Sequence, residues 1–270
     1  MFSPSDITWL VTPQTLEGTP SITLLNDIRI SGAQLILIYS DMGKYLLPTL
    51  NFSKPIIVYG AKRLCIMANQ AGAIPGAYGY TDGVNYPNFS VHIPRDWLLN
   101  PDYMILPWGM IDMRWEWLRN NISSSIFVRP INSLKSFTGT LLHSHDDYLI
   151  HTRTCNIQPE ELVIIAPEQP ILKEARFFIV NKKIICQSVY GWGDLANVSI
   201  SPEQYAMAKS VADLNWQADI CYTVDICMTT TGAKVVELNQ GSSSGLYNCD
   251  TKAFVEALNE AALKEFLYET

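Results

Sequence analysis

The sequence lacks several features that would assign it to a common class of protein. It has no long apolar run approaching the roughly 20 residues that a membrane span needs, no internal repeat and no low-complexity segment. Its 19 Lys and Arg residues are outnumbered by 26 Asp and Glu, which gives a net charge of −7. These absences argue against a transmembrane protein and against a nucleic-acid binder held by a broad basic face. Any phosphate ligand must therefore be held locally.

The six cysteines form no CxxC pair, and three of them, Cys65, Cys186 and Cys227, lie inside apolar runs. A cysteine in such a run behaves as a small hydrophobic residue, so we expect reduced, buried thiols. The sequence begins without the basic flank and apolar core of a secretory signal. These features predict a cytoplasmic protein, and a chain of 270 residues with 48% hydrophobic content is able to bury a substantial core.

The first part of the chain alternates short apolar strands with a helical pattern. Strands are predicted at 7–13, 34–40 and 54–60, and a helix at 61–72. This order favours an N-terminal α/β domain over residues 1–90. An aromatic-rich connecting segment follows at 91–124, and its last part has the pattern of an amphipathic helix.

From residue 125 onward the strands are longer and separated by short turns, which is typical of antiparallel sheets. The predicted strands are 125–130, 147–155, 161–167, 174–180, 183–190, 219–228 and 233–239. A helix is predicted at 202–214, with Ser201 as N-cap and Pro202 in its first position. The final segment repeats its apolar residues with a helical period. We assign residues 125–270 to one domain.

The stretch VVELNQGSSSG, 235–245, carries the residues with the clearest chemistry. Glu237 and Asn239 lie two apart on a predicted strand and so share a face, and Asp225 lies on the preceding strand. Two carboxylates and an amide suit a hard cation such as Mg²⁺. The loop that follows offers backbone N–H groups and hydroxyls to an anion or a reacting acyl group, from Gly241, Ser242, Ser243 and Ser244. The same pattern also suits solvent-facing strand residues and a flexible turn.

Two earlier segments carry cations and a further acid. Arg129 ends a strand, and Lys135 lies in a small-residue loop, 131–140, that suits a flap over a polyphosphate. Glu174 and Arg176 share one face of a later strand, where an acid suits ribose hydroxyls and an arginine suits phosphates. The linker before them suits an adenine along its backbone.

In this order, the segments resemble the ATP-grasp superfamily of nucleotide-dependent carboxylate–amine ligases, and most of all a group found in bacteria and their phages. The resemblance implies an α/β (α+β) fold, in which a small pre-grasp domain precedes antiparallel-sheet subdomains that sandwich ATP. It implies Mg²⁺ ligands at Asp225, Glu237 and Asn239. It implies nucleotide contacts from Arg129, Lys135, Ile165, Ala166, Glu174 and Arg176.

The implied reaction activates a substrate carboxylate as an acyl phosphate and joins it to an amine, with Arg176 or Lys135 stabilising the transition state. The carboxylate belongs to a small molecule or a peptide, and Gly241 to Ser244 contact the substrate. The chain departs from the better-known ligases in having Arg129 for a lysine and Thr223 for an arginine. Its loop also lacks their Pro-Gly.

Two other interpretations stay open at this point. The departure at Thr223 is compatible with a nucleotide-binding scaffold that has lost turnover. The run LLHSHDDYLIH places His143, His145 and Asp147 in an order that approaches the HxHxDH pattern of metallo-hydrolases, which would indicate a zinc hydrolase.

Overall fold

The computed structural model describes residues 2–13, 19–41, 44–132, 136–155, 157–189 and 199–269, without the side chains of 19–21 and 269. Within these residues the chain forms three four-stranded sheets. They are called here the N-terminal, middle and C-terminal sheets. None of the described helices is both long and apolar enough to cross a membrane.

The N-terminal sheet is parallel and has the strand order β2-β1-β3-β4. Its elements are β1 (Thr8–Val11), α1 (Thr19–Ile30), β2 (Gln34–Leu37), β3 (Ile56–Tyr59), α2 (Lys62–Gln70) and β4 (Pro75–Gly76). The three predicted strands and α2 are confirmed. The sequence did not indicate α1, because its segment TPSITLLNDIRI is rich in β-branched residues, which favour strands.

The middle sheet is antiparallel and has the order β5-β8-β6-β7. The elements of this part of the chain are α3 (Tyr86–Phe89), β5 (Met104–Pro107), α4 (Gly109–Asn121), β6 (Ile126–Pro130), β7 (Thr140–Leu142), α5 (His145–Thr154) and β8 (Leu162–Pro167). One face of the sheet packs against α4 and α5, where Trp115, Leu118 and Tyr148 share a buried cluster with Val128 and Ile165. The amphipathic helix predicted at the end of 91–124 is α4.

The strand predicted at 147–155 is wrong, because this segment is the helix α5. A capping box starts the helix. Ser144 Oγ accepts a hydrogen bond from the Asp147 N–H, and Asp147 Oδ2 accepts one from the Ser144 N–H. These bonds satisfy N–H groups that a strand would have used in a ladder. The short run DYLIHTRTC fits either period, and the cap decides in favour of the helix.

The C-terminal sheet is antiparallel and has the order β10-β9-β11-β12. The last elements of the chain are β9 (Lys173–Val180), β10 (Lys183–Val189), α6 (Pro202–Ala212), β11 (Cys221–Thr229), β12 (Gly232–Gln240) and α7 (Thr251–Glu269). Asn181 and Lys182 form the turn between β9 and β10 with φ of 49° and 63°, as a two-residue hairpin requires. The predicted cap of α6 by Ser201 and Pro202 is confirmed.

The C-terminal helix α7 packs between the N-terminal and C-terminal sheets. Its Phe254 meets Tyr59 of β3 at a ring-centroid distance of 5.5 Å and Phe178 of β9 at 5.1 Å. Its Asn259 Oδ1 accepts a hydrogen bond of 2.8 Å from the Trp9 Nε1–H of β1. The first strand and the last helix therefore share one buried core, although they lie far apart along the chain. The domain division at 90 and 124 stays a prediction.

Candidate active site

The middle strand of the candidate site is β11, and Asp225 lies on it between two charged neighbours. Arg176 of β9 is its register partner on one side, and Glu237 of β12 is its partner on the other. Side chains that are directly opposite in an antiparallel sheet point to the same face. The structure therefore brings together two of the predicted metal ligands and the predicted catalytic arginine.

Each carboxylate of the site is paired with an arginine. Arg176 Nε and Nη2 donate to the two oxygens of Asp225, at 2.8 Å each, and the Asp225 side chain is fully buried. Arg129 Nη1, from β6 of the middle sheet, lies 2.7 Å from Glu237 Oε2. Two positive and two negative charges thus balance in a nearly closed pocket, which offsets much of the cost of burying them. The Arg129 pair also joins the middle sheet to the C-terminal sheet.

Asn239 links the two carboxylates. Its Nδ2 lies 2.8 Å from Glu237 Oε1 and 3.1 Å from Asp225 Oδ2. An amide turned by 180° presents its oxygen to the same point. The donor set is then two carboxylates and an amide oxygen, all hard oxygen ligands, which fits Mg²⁺ with phosphate oxygens completing its shell.

Two tyrosines that the sequence analysis did not single out lie against the arginines. The Tyr86 ring lies under the Arg129 guanidinium at 5.5 Å, and the Tyr247 ring lies near the Arg176 guanidinium at 5.6 Å. Burial raises the pKa of Tyr86 well above its ordinary value, so its hydroxyl stays protonated. An aromatic ring over a guanidinium stabilises its charge and fixes its plane. Only a spacing rule linking these distant positions would have found them in the sequence.

A β-bulge next to Glu237 opens a cavity beside the charged residues. Asp225 pairs with Glu237 but Ile226 pairs with Val235, so Val236 is an extra residue in β12. Val236 lines a cavity of about 500 Å³, a volume within the range of small-molecule sites. Its other walls come from the middle sheet, the linker after β8 and the segment before β5: Leu99, Asn100, Phe127, Gly139, Thr140, Leu141, His143, Gln169 and Ile171.

The predicted adenine contacts divide between the two faces of the middle sheet. Ala166 is the register partner of Phe127 and so shares the face that meets the cavity. Ile165 packs on the opposite face with the α4 and α5 cluster, and β5 and β6 flank its backbone. The structure therefore does not bring the Ile165 side chain to the cavity. The free linker begins after β8, where Gln169 and Ile171 line the cavity.

Glu174 shares the charged face of β9, since it lies two residues before Arg176. Its register partner on β11 is Cys227. Burial, followed by the nearby Glu174 carboxylate, raises the pKa of the Cys227 thiol to about 12. The ribose-binding role of Glu174 stays a prediction. Lys135, predicted for the flap and for catalysis, lies outside the described residues.

The loop after β12 is a buried structural joint and not a flexible turn. Ser242 is fully buried, and its Oγ accepts a hydrogen bond of 2.8 Å from the Tyr78 N–H. Its carbonyl oxygen accepts one of 2.8 Å from the Gly60 N–H. A Cβ on Gly241 would lie 2.4 Å from Cys221 Sγ. Two of the four predicted substrate contacts are therefore committed to holding the loop against its neighbours.

The other two residues of this loop are placed differently. Ser244 accepts a hydrogen bond from the Tyr59 hydroxyl on its carbonyl, and its Oγ lies 3.3 Å from the hydroxyl of the buried Thr223. Ser243 Oγ is buried near the Tyr80 hydroxyl, and neither atom makes a hydrogen bond of acceptable geometry with any described residue. Among the four loop residues, Ser243 is thus the one whose hydroxyl is least committed to that part of the structure.

The three residues of the predicted zinc site point to separate partners. His143 Nδ1 lies 3.0 Å from Ser125 Oγ, His145 Nε2 lies 2.6 Å from Asp112 Oδ1, and Asp147 caps α5. Across the described ranges, no group of three His, Cys, Asp or Glu side chains could hold a metal ion. The zinc interpretation therefore has no support from the geometry, because a helix has replaced the strand on which it depended.

A family model for an ATP-grasp domain, family 3 of its clade, matches residues 96–258. The comparison with curated proteins finds no significant match.

Three solved structures illustrate the similarity of fold. A RimK domain protein ATP-grasp from Sphaerobacter thermophilus has a TM-score of 0.63 at 13% identity, over 95% of this chain and 99% of its own. D-alanine–D-alanine ligase from Bacillus anthracis complexed with ATP has a TM-score of 0.62 at 12% identity, over 98% and 99%. The ATP-grasp ligase PsnB, complexed with a phosphomimetic variant of a minimal precursor, Mg and ADP, has a TM-score of 0.53 at 12% identity, over 98% and 100%. At these identities the similarity shows the fold.

Proposed function

Because this chain belongs to the ATP-grasp domain family whose model it matches, we propose that it is an ATP- and Mg²⁺-dependent ligase that joins a carboxylate to an amine. The observation that carries the proposal is the balanced cluster of Asp225, Glu237, Arg129 and Arg176, which lies beside a cavity of about 500 Å³. Fold alone does not assign a reaction, so the proposal rests on these side chains.

The cavity suits a nucleoside, and the charged cluster suits its phosphates. Phe127, Leu141 and Val236 offer apolar contact to a flat base. Arg129 and Arg176 are paired with the acids in this structure, and in this proposal each exchanges its carboxylate for phosphate oxygens. The released carboxylates, together with Asn239, would hold the Mg²⁺. When bound, this cation offsets the negative charge of the phosphates.

The proposed chemistry has two steps. The substrate carboxylate attacks the γ-phosphorus of ATP, the bond to ADP breaks, and an acyl phosphate forms. The amine then attacks the acyl carbon, loses a proton, and inorganic phosphate leaves. Arg176 stabilises the charge that develops in both steps, and Lys135 remains a second candidate for this role. Ser243 and Ser244 are the loop residues proposed to contact the substrate.

Calorimetric titration of a non-hydrolysable ATP analogue tests the nucleotide site. We expect micromolar binding that requires Mg²⁺ and is weakened by EDTA. Glu237→Gln should lose most of the Mg²⁺ dependence because it removes one negative ligand. The matched control is Glu256→Gln on the exposed side of α7, 64% exposed, which should bind as the wild type does. No binding by a folded wild-type protein would overturn the proposal.

A second measurement separates a ligase from a nucleotide-binding scaffold. ADP release is followed with mixtures of small carboxylic acids, short peptides and amines, in the presence of Mg²⁺ and ATP. A substrate-dependent rate that Arg176→Met abolishes supports the ligase. Nucleotide binding without ADP release in any mixture would favour the scaffold.

A further inference from the structure

Asn100 presents a buried amide in the wall of the cavity beside the active site. The residue is 4% exposed, and its Oδ1 is buried without a hydrogen-bond partner among the described residues. Asn100 is also one of the residues that line the cavity of about 500 Å³. A native protein seldom buries a polar side-chain atom without a partner. A ligand in the cavity would supply the partner.

The backbone around Asn100 is held from two sides. Leu99 donates its N–H to the Val235 carbonyl at 2.9 Å, which ties the segment to β12 beside the bulge. The Asn100 carbonyl accepts a hydrogen bond of 2.8 Å from the Tyr86 hydroxyl, and the Tyr86 ring lies under Arg129. The amide therefore occupies a fixed position relative to the charged cluster, which is the arrangement that a recognition residue needs.

The chemistry of the ligand group that would meet Asn100 follows from the acceptor. Oδ1 needs an N–H or O–H donor, and ionised phosphates have none. The cavity walls also include the side chains of Phe127, Leu141 and Val236, which suit the faces of a flat ring. Adenine carries an exocyclic amino group at the edge of such a ring, whereas guanine has a carbonyl oxygen at that position.

From these observations we infer that Asn100 reads the nucleotide base, by accepting a hydrogen bond from the exocyclic amino group of adenine. The inference rests on the proposed function, since it requires a nucleotide in this cavity. It adds a specificity-determining residue from the segment before β5, outside the strands that carry the charged residues.

The test compares three nucleotides on the wild-type protein and on Asn100→Leu. The dissociation constants of the Mg²⁺ complexes of ATP, purine riboside triphosphate and GTP are measured by calorimetry without any carboxylate. Purine riboside triphosphate lacks only the exocyclic amino group. We expect the wild type to bind it, and GTP, about tenfold more weakly than ATP, the loss of roughly one hydrogen bond. Asn100→Leu should bind ATP and purine riboside triphosphate with the same weakened affinity.

Controls keep the two proposals apart. Asn121→Leu, at the exposed end of α4, should preserve the wild-type preference for ATP. If Asn100→Leu fails to fold, the wild-type comparison of the two nucleotides still decides. Equal binding of ATP and purine riboside triphosphate by the wild type would overturn the role of Asn100 and leave the nucleotide site standing. No binding of any nucleotide would overturn the proposed function as well.

Discussion

Asp225 and Arg176 lie opposite each other on β11 and β9 and are joined by two hydrogen bonds of 2.8 Å, with the carboxylate fully buried. This geometry matches the planar fork of the guanidinium to both carboxylate oxygens. A buried pair of this kind contributes modest net stability, but it makes each partner depend on the other. It also means that a phosphate must compete with Asp225 for Arg176.

Breaking this pair should destabilise the protein. We expect Asp225→Asn and Arg176→Met each to lower the free energy of unfolding by about 3–5 kcal/mol, because each leaves one charge buried alone. The double variant should lose less than the sum. Urea denaturation measures the effect. Lys209→Ala, which breaks the exposed pair with Asp213, is the control and should cost about 1 kcal/mol or less.

Arg129→Lys tests the choice of arginine at the end of β6. Lysine keeps the charge near Glu237 but loses the planar contact with the Tyr86 ring. We expect Mg²⁺-nucleotide affinity to fall about tenfold while the protein stays folded. Arg95→Lys, in an exposed pair with Asp102, should bind nucleotide unchanged. A lysine variant with wild-type affinity would show that only the charge at this position counts.

Two glycines with similar backbone conformations test the close approach of the loop after β12. Gly72 and Gly79 have φ of 89° and 80°, but an added Cβ meets nothing within 4 Å at Gly72 and lies 2.4 Å from Gln240 Cα at Gly79. Gly72→Ala should cost roughly 1–2 kcal/mol of stability, from its backbone alone. Gly79→Ala should cost about 1–3 kcal/mol more, from the overpacking. Thermal and urea unfolding of both variants measure the difference, and equal losses would contradict the close approach.

Thiol labelling tests the burial of the cysteines. Burial raises the pKa of Cys65 and of Cys227 to about 12, so at pH 8 both remain protonated and unreactive. Iodoacetamide should label the half-buried Cys155 first, and mass spectrometry of the peptides would identify the order. Early labelling of Cys65 in folded protein would contradict the packing of α2.

The same shifts predict an alkaline limit to stability. The folded pKa of each thiol lies above its ordinary value of 9.0. Folding therefore retains protons that the unfolded chain releases, so the thiols' contribution is fully present below about pH 9 and is lost as the pH rises towards 12. The free energy of unfolding should decline over this range. A Cys65→Ala/Cys227→Ala variant should show a shallower decline.

The strands of the site were predictable because their signals are local. Apolar alternation and the turn between β11 and β12 were enough to place Asp225 beside Glu237, and Asn239 two residues on. The segment 147–155 was predicted wrongly because a short run fits two periods, and a cap at Ser144 decided between them. The place of Ile165 on the far face of the middle sheet was equally open, since every residue of 163–166 is fully buried.

The sequence by itself determined the strand that carries the acids, the residues that share its charged face, and the family that the pattern resembles. Only the tertiary structure decided which cation meets which acid, because Arg176 and Asp225 are 49 residues apart. It also showed that Ser242 is bound to Tyr78, 164 residues away, and that Asn100 lines the cavity. Such contacts depend on how whole elements pack, and a local sequence pattern carries no information about that packing.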